Sequence, residues 1–211
     1  METFQRARRP EQQELRRQAI LDAARELLLE LPAADISLRE IARTLGGSKS
    51  GIVTYFETRE AVFLALLERE RDEWFATFEE SLGTGELTDV WARSLAERPV
   101  LCALWSQLAS VLEHNLSVDS IREFKLRNRD QQRRQAKLVA NHVPGLTDDG
   151  AEELVNTSIV VLIGLWPFGN PAPAVVEATA DDRLKSARVD FVPWYSRTLQ
   201  VVIAGLLSAP R

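Results

Sequence analysis

Residues 36–63 read ISLREIARTLGGSKSGIVTYFETREAVF, and the way this stretch folds decides the rest of the chain. Ser37 followed three residues later by Glu40 is the spacing of a capping box, in which a side chain and a backbone amide satisfy each other reciprocally. Ile41, Ala42 and Leu45 then fall on one face of a short helix. Ala42 lets a second helix approach closely, and Gly46, four residues on, suits a left-handed turn. Ser48 is placed to cap that second helix, with Ile52 as its core anchor. Lys49, Ser50, Gly51, Thr54 and Tyr55 are left facing outward, and Thr58 caps a third helix. The pattern is a helix-turn-helix leading into a longer rod.

These residues resemble the DNA-binding head of TetR-family transcriptional regulators. The likeness rests on Ala42, Gly46, Ser48-Lys49, Tyr55-Phe56 and the Thr58-Arg59-Glu60 helix start, and it covers residues 10 to about 70. Three positions depart from the family pattern. Gly47 stands where a small β-branched residue is usual, Gly51 where Ser or Thr is frequent, and Val53 where Tyr is frequent. Each glycine weakens the short helix by about 1 kcal/mol relative to alanine. Gly51 and Val53 also remove hydrogen-bonding groups, so base readout leans on fewer side chains. The resemblance implies a DNA surface with Ser50, Gly51 and Thr54 against base edges and Lys49, Tyr55 and Arg59 at phosphates. Arg39 belongs to the same contact set, as do Ser37 and Ser48 through the backbone amides of the helix starts.

At 211 residues the chain can bury a sizeable core, and 45% hydrophobic with 27% charged residues is ordinary for a soluble globular protein. No run of 18 apolar residues suggests a membrane span, and METFQRARRPEQQ lacks the apolar stretch of a signal peptide. Cys102 is the single cysteine, so no intrachain disulfide is expected, and no Cys/His spacing suggests zinc. The expectation is a cytoplasmic protein without a membrane partner or cofactor. Net charge is −5, carried wholly by residues 72–211; residues 1–71 hold 12 basic and 12 acidic side chains. A phosphate backbone needs a local positive face rather than a basic whole.

In chain order, residues 1–9 read as a disordered arm with Arg6, Arg8 and Arg9, and Pro10 is placed to open the first helix. That helix runs to Pro32 and buries Ile20, Ala23, Ala24 and Leu27, with Arg16 and Arg17 as phosphate candidates. The helix from Thr58 continues through Phe63, Leu67, Trp74 and Phe78 to Leu82, about 36 Å at 1.5 Å per residue. Its tract Glu68 to Glu73 reads as an exposed charged face. Helices follow from Leu87, Pro99, Ser117 and Thr147, the one from Pro99 running to Leu112; a break is expected at 167–173, a loop with Asp181-Asp182, and a last helix from Pro193 to Leu207. No strand alternation or internal repeat appears. The fold class is all-α, with an arm and head at 1–57 and a helical body at 58–211 in which 58–82 is the connecting helix.

Two late helices, carrying Ile159 to Trp166 and Leu199 to Leu207, are apolar nearly all round and must be covered on every side. One side can face the core and the other a second subunit, in agreement with the two-helix dimer contact that the resemblance implies. A two-fold dimer places two reader helices about one DNA turn, or a small multiple, apart, which calls for a palindromic operator on double-stranded DNA. The resemblance further implies an inducer pocket between the body helices, with Trp91, Trp105, Leu108, Leu112, Asn156, Ile163 and Trp166 as its lining. Aromatics at helical spacing are also simply core. The helix carrying Arg122, Lys125, Arg127, Arg129, Arg133, Arg134 and Lys137 reads as a solvated face, or as a surface for an anionic inducer. No assembled catalytic constellation or phosphate loop is present, so an enzyme is not expected. The function so read is a TetR-like regulator, a repressor released from its operator by a small molecule; the alternative is a dimeric regulator controlled by a protein partner.

Overall fold

The computed structural model describes residues 2–108 and 116–208, with side chains from Pro10 onward. Ten α-helices are present among them: α1 Glu2–Glu30, α2 Leu38–Thr44, α3 Lys49–Val53, α4 Arg59–Ser81, α5 Leu87–Ala96, α6 Pro99–Gln107, α7 Val118–Ala140, α8 Asp148–Gly169, α9 Pro173–Ala178 and α10 Phe191–Ser208. Short 3-10 turns occupy Ala33–Asp35 and Asp182–Ala187, and no strand occurs among the described residues.

The helix starts follow the caps legible in the sequence. Thr58, Ser117 and Thr147 each accept a hydrogen bond from the amide three residues on, at 3.1, 3.1 and 3.0 Å. Helix α4 is the axis of the molecule. It packs against α1 on one flank and against α5, α6 and α7 on others, burying Val62, Phe63, Leu66, Leu67, Trp74 and Phe78. Beyond it, α8 lies against α6, α7 and α10, and α10 returns across α5. The aromatic rings of Trp74, Phe78 and Trp91 form one stack, with centroids 5.1 and 5.4 Å apart. Each such pair adds about 0.5–1.5 kcal/mol beyond area burial.

Several elements differ from the sequence expectation. Helix α1 begins at Glu2, so residues 2–9 extend it rather than forming an arm, and Pro10 lies inside it. Those residues are mostly good helix formers, and one proline removes only one hydrogen bond from a long ladder. Helix α8 runs through Pro167 to Gly169 for the same reason, so the break begins three residues later than its proline suggests. The stretch expected as loop holds α9 and the second 3-10 turn, with Asp181 accepting from the Arg183 amide at 2.9 Å. Helix α6 ends at Gln107, short of the Leu112 limit expected from sequence, and Leu112 itself lies outside the described residues. Helix α8 is also long and apolar enough to cross a membrane by length and composition, at 22 residues and mean hydropathy 1.3. Within the fold it is a bundle helix, its buried face carrying Ser158 among Leu154, Val155 and Leu162.

Candidate nucleic-acid interface and the cavities of the body

The helix-turn-helix is held by its own caps. The Ser37 amide donates to Glu40 Oε2 at 2.6 Å and the Glu40 amide to Ser37 Oγ at 3.4 Å, closing the capping box. Hydrogen bonds from Ser37 hold the Glu40 carboxyl below its ordinary pKa. Gly46 takes φ +61°, the left-handed geometry of the turn, and the Gly47 amide donates to the Ala42 carbonyl at 2.8 Å. Ser48 Oγ accepts from the Gly51 amide at 3.3 Å, and Ile52 anchors α3 in the core.

Around this frame the expected contact residues separate. Ser37, Arg39, Ser48, Lys49, Ser50 and Thr54 are exposed, while Gly51 and Tyr55 are half-buried. Arg59, expected at a phosphate, is turned inward. Its Nη1 donates to the carbonyls of Ala33, Ala34 and Ile36 at 3.1–3.3 Å, and its Nη2 pairs with Glu60 at 2.9 Å. The reason is local: Thr58 caps α4 beside the 3-10 turn, so the first side chain of the helix meets free carbonyls. Arg17 is likewise spent within the fold. Its Nη1 donates to the Tyr55 carbonyl at 3.2 Å and its guanidinium lies 4.4 Å from the Phe56 ring centroid. Arg16 reaches over the turn, where a Cβ on Gly47 would sit 3.3 Å from its Nη2.

Two further groups on this surface lie outside the contact set expected from sequence. Arg43 is exposed one helical turn from Arg39, a spacing that puts both on one face of α2. Val53 is 43% exposed on α3, large and apolar in a polar setting. Arg39 and Lys49 have no ion-pair partner among the described residues, and Arg43 has only the attraction of Glu40. Arg39 and Arg43 on α2 and Lys49 at the start of α3 are therefore exposed cations of the helix-turn-helix, although residues 1–71 as a whole are neutral.

The body does not gather its expected pocket residues. Trp91 and Trp105 border an internal cavity of about 20 Å³, with Trp74, Leu162, Tyr195 and the polar Arg71, Asn128 and Gln135 around it. Trp166 is elsewhere, edge-on to Phe191 at 5.1 Å in the α8–α10 contact. Leu108 is core and Ile163 is half-buried outside that cavity. Asn156 borders a surface cleft with Arg129, Arg133 and Glu152. Leu112 lies outside the described residues. Helical phase explains the dispersal: from Leu162, Asn156 is rotated to another face and Trp166 lies a turn further on. Larger spaces are superficial. One of about 610 Å³ is bounded by Pro167, Phe168, Val175, Val176 and Val189, and one of about 300 Å³ lies between Tyr55, α4 and the start of α7.

Comparison with known proteins agrees with this architecture. Residues 20–66 match the model of bacterial regulatory proteins of the tetR family, and residues 64–210 match that of the tetracyclin repressor-like C-terminal domain. The chain belongs to the TetR family of transcriptional regulators. It is 36% identical over 76 residues to the HTH-type transcriptional regulator EthR of Mycobacterium tuberculosis, a match spanning 35% of each protein, so only about a third of that relative is covered. Its fold is similar to that of the fatty acid degradation regulator FadR from Bacillus halodurans, with TM-score 0.57 at 13% identity over 90% of this chain and 98% of that one. A TetR/AcrR-family regulator from Thermobifida fusca gives 0.51 at 21% identity, over 93% and 98%. At such identities the likeness is one of fold.

In this TetR-family chain the tract 68–73 is only partly the exposed face its charges suggest: Asp72 and Glu73 are exposed, whereas residues 68–71 turn towards neighbouring helices. Glu70 and Arg71 are 1% and 6% exposed. Four consecutive side chains on α4 reach alternate neighbours. Glu68 takes Arg127 of α7 at 2.7 Å, and Arg69 takes Asp22 of α1 at 2.8 Å. Glu70 takes Arg25 of α1 at 2.8 Å, and Arg71 donates to Asn128 of α7 at 3.2 Å. A helix packed on several flanks buries even its charged positions, provided each finds a partner. The basic set on α7 is largely satisfied in turn: Arg122 pairs with Asp119, Arg127 with Glu68 and Glu123, and Arg133 with Glu152.

Proposed function

We propose that this TetR-family chain is a cytoplasmic, homodimeric repressor that holds a palindromic operator through α3 and leaves it when a small molecule occupies the body. The observation that carries the DNA side is the set of exposed cations on the helix-turn-helix, Arg39, Arg43 and Lys49, together with a reader helix whose cap and core anchor fix its orientation. Residues 1–57 would form the head and 58–211 the body. The two family models meet at residues 64–66, inside α4, which supports α4 as the connecting helix.

The dimer reading has its own support. Val160, Gly164 and Phe168 recur at four-residue spacing on the open side of α8, and Trp194, Val201 and Gly205 lie on the open side of α10. Nothing approaches within 4 Å of a Cβ built on Gly164 or Gly205. Two mid-helix glycines that no intrachain contact requires suit a close crossing with a second subunit.

A ligand would have to part α7 from α4 and α8, because about 20 Å³ holds little more than one water. Moving α7 draws on Glu68 and Arg71 and hence on α4. The required preference for the DNA-incompetent state is about 1–3 kcal/mol for a typical coupling. The small cavity also favours a second reading, in which a protein partner rather than a small molecule sets DNA affinity. The test is selection of operators from random duplex DNA, followed by salt-titrated binding of the wild type and of Arg39→Ala with Lys49→Ala. Specific binding that weakens with salt, and weakens further in the variant, supports the reading; no specific duplex binding overturns it. A compound screen scored by both thermal shift and operator release then separates the two modes of control.

A further inference from the structure

The hydroxyls at the reader helix are partly engaged within the fold. Ser50 Oγ is bonded to Ser48 Oγ at 2.9 Å, and Ser48 Oγ also accepts from the Gly51 amide. Thr54 Oγ1 donates to the Ser50 carbonyl at 3.2 Å, which uses its proton and leaves only acceptor capacity. Gly51 offers no side chain. Beside the exposed Lys49 and Ser50, α3 also turns an apolar group outward: Val53 is 43% exposed, and the methyl of Thr54, just past the helix end, is the part of that side chain no hydrogen bond occupies. Val53 is the exposed large apolar side chain one helical turn from Lys49, whose charge matches a flanking phosphate.

In a major groove, an exposed apolar group has one partner of its own kind on the base edges, the 5-methyl of thymine. We infer that α3 reads its operator chiefly through thymine methyl groups, with Val53 as the specificity-determining side chain and the Thr54 methyl beside it. The cations position the helix and contribute affinity without sequence choice. This rests on the DNA-binding reading above and adds which base feature is recognised. It also gives Val53 a role where the family pattern has a hydrogen-bonding tyrosine.

The experiment uses the full chain and an operator selected from random duplex DNA. Each thymine of one half-site is replaced in turn by deoxyuridine, which removes the methyl and leaves pairing intact. Burying one methyl predicts about a fourfold loss of affinity at each thymine touched, and about sixteenfold when both half-sites are changed. Val53→Ala, at an exposed position that folding tolerates, should weaken binding to the thymine operator by a similar factor. It should also abolish the uridine penalty at the position Val53 touches. Lys49→Ala should lower affinity on both DNAs alike and leave the penalty in place. Specific binding with no uridine penalty, or penalties left unchanged at every thymine by Val53→Ala, overturns the inference while the DNA-binding reading stands. Absence of specific binding to any duplex overturns both.

Discussion

Replacing Arg59 separates a structural role from a DNA role. In the fold, Arg59 Nη1 lies 3.1–3.3 Å from three carbonyls, and Nε and Nη2 reach Glu60 Oε1 at 3.2 and 2.9 Å. One nitrogen has two hydrogens, so no more than two of the three carbonyls are well bonded at once. A hydrogen bond from a charged donor contributes about 1.5–3 kcal/mol, less where water can replace it, as at the exposed Ala34. The Glu60 side chain is 7% exposed and would lose its close cation. Together these give a loss of about 2–4 kcal/mol for Arg59→Ala. Arg59→Lys, which keeps charge but not the fork, should lose about 1–2 kcal/mol. The assay is urea unfolding by far-UV circular dichroism, with amide exchange across residues 33–36 and 59–63, alongside operator binding against salt. A structural Arg59 gives a lower unfolding midpoint in the alanine variant, faster exchange in that segment and an unchanged salt slope. A wild-type midpoint, with a salt slope shallower by about 0.9 for each phosphate no longer neutralised, would refute the structural role and make Arg59 a phosphate ligand.

Three further outcomes follow from the same structure. Because Glu40 has a lowered pKa in the fold, its contribution to the α2 cap is complete above the unfolded value of 4.5 and is lost as pH falls through the folded one. The protection of amides 38–44, taken relative to their intrinsic exchange rates at each pH, should therefore fall on acidification, and Ser37→Ala should flatten that dependence. Cys102 is buried, its thiol 3.2 Å from the Leu95 carbonyl and its pKa pushed up by burial. It should resist a disulfide reagent in the native protein and react stoichiometrically once unfolded; rapid native labelling would contradict that burial. Gly164→Leu places bulk on the open face of α8 without an intrachain clash, so it should leave the far-UV spectrum unchanged and shift sedimentation towards monomer. A dimer as tight as wild type would remove α8 from the interface.

Most of the helical plan is local and was therefore legible. Ser37 with Glu40, Ser48, Thr58, Ser117 and Thr147 all cap the helices whose starts they announce, because a cap depends on residues three apart. Gly46 took its left-handed turn for an equally local reason. Prolines misled where a long helix could absorb one missing hydrogen bond, at Pro10 and Pro167. The candidate site was less legible. Arg17 and Arg59 look like free cations in sequence, yet their partners are carbonyls and rings brought close only by tertiary folding.

The sequence by itself determined the all-α class, the helix-turn-helix and the family resemblance, since each rests on spacing within a few turns of one helix. Tertiary structure alone decided which charges are available. Glu70 and Arg71 vanish into contacts of α4 with α1 and α7, whereas Arg39, Arg43 and Lys49 stay outside. It also dispersed Trp91, Asn156 and Trp166, because neighbours along a helix diverge by about 100° per residue while the walls of a cavity come from different helices.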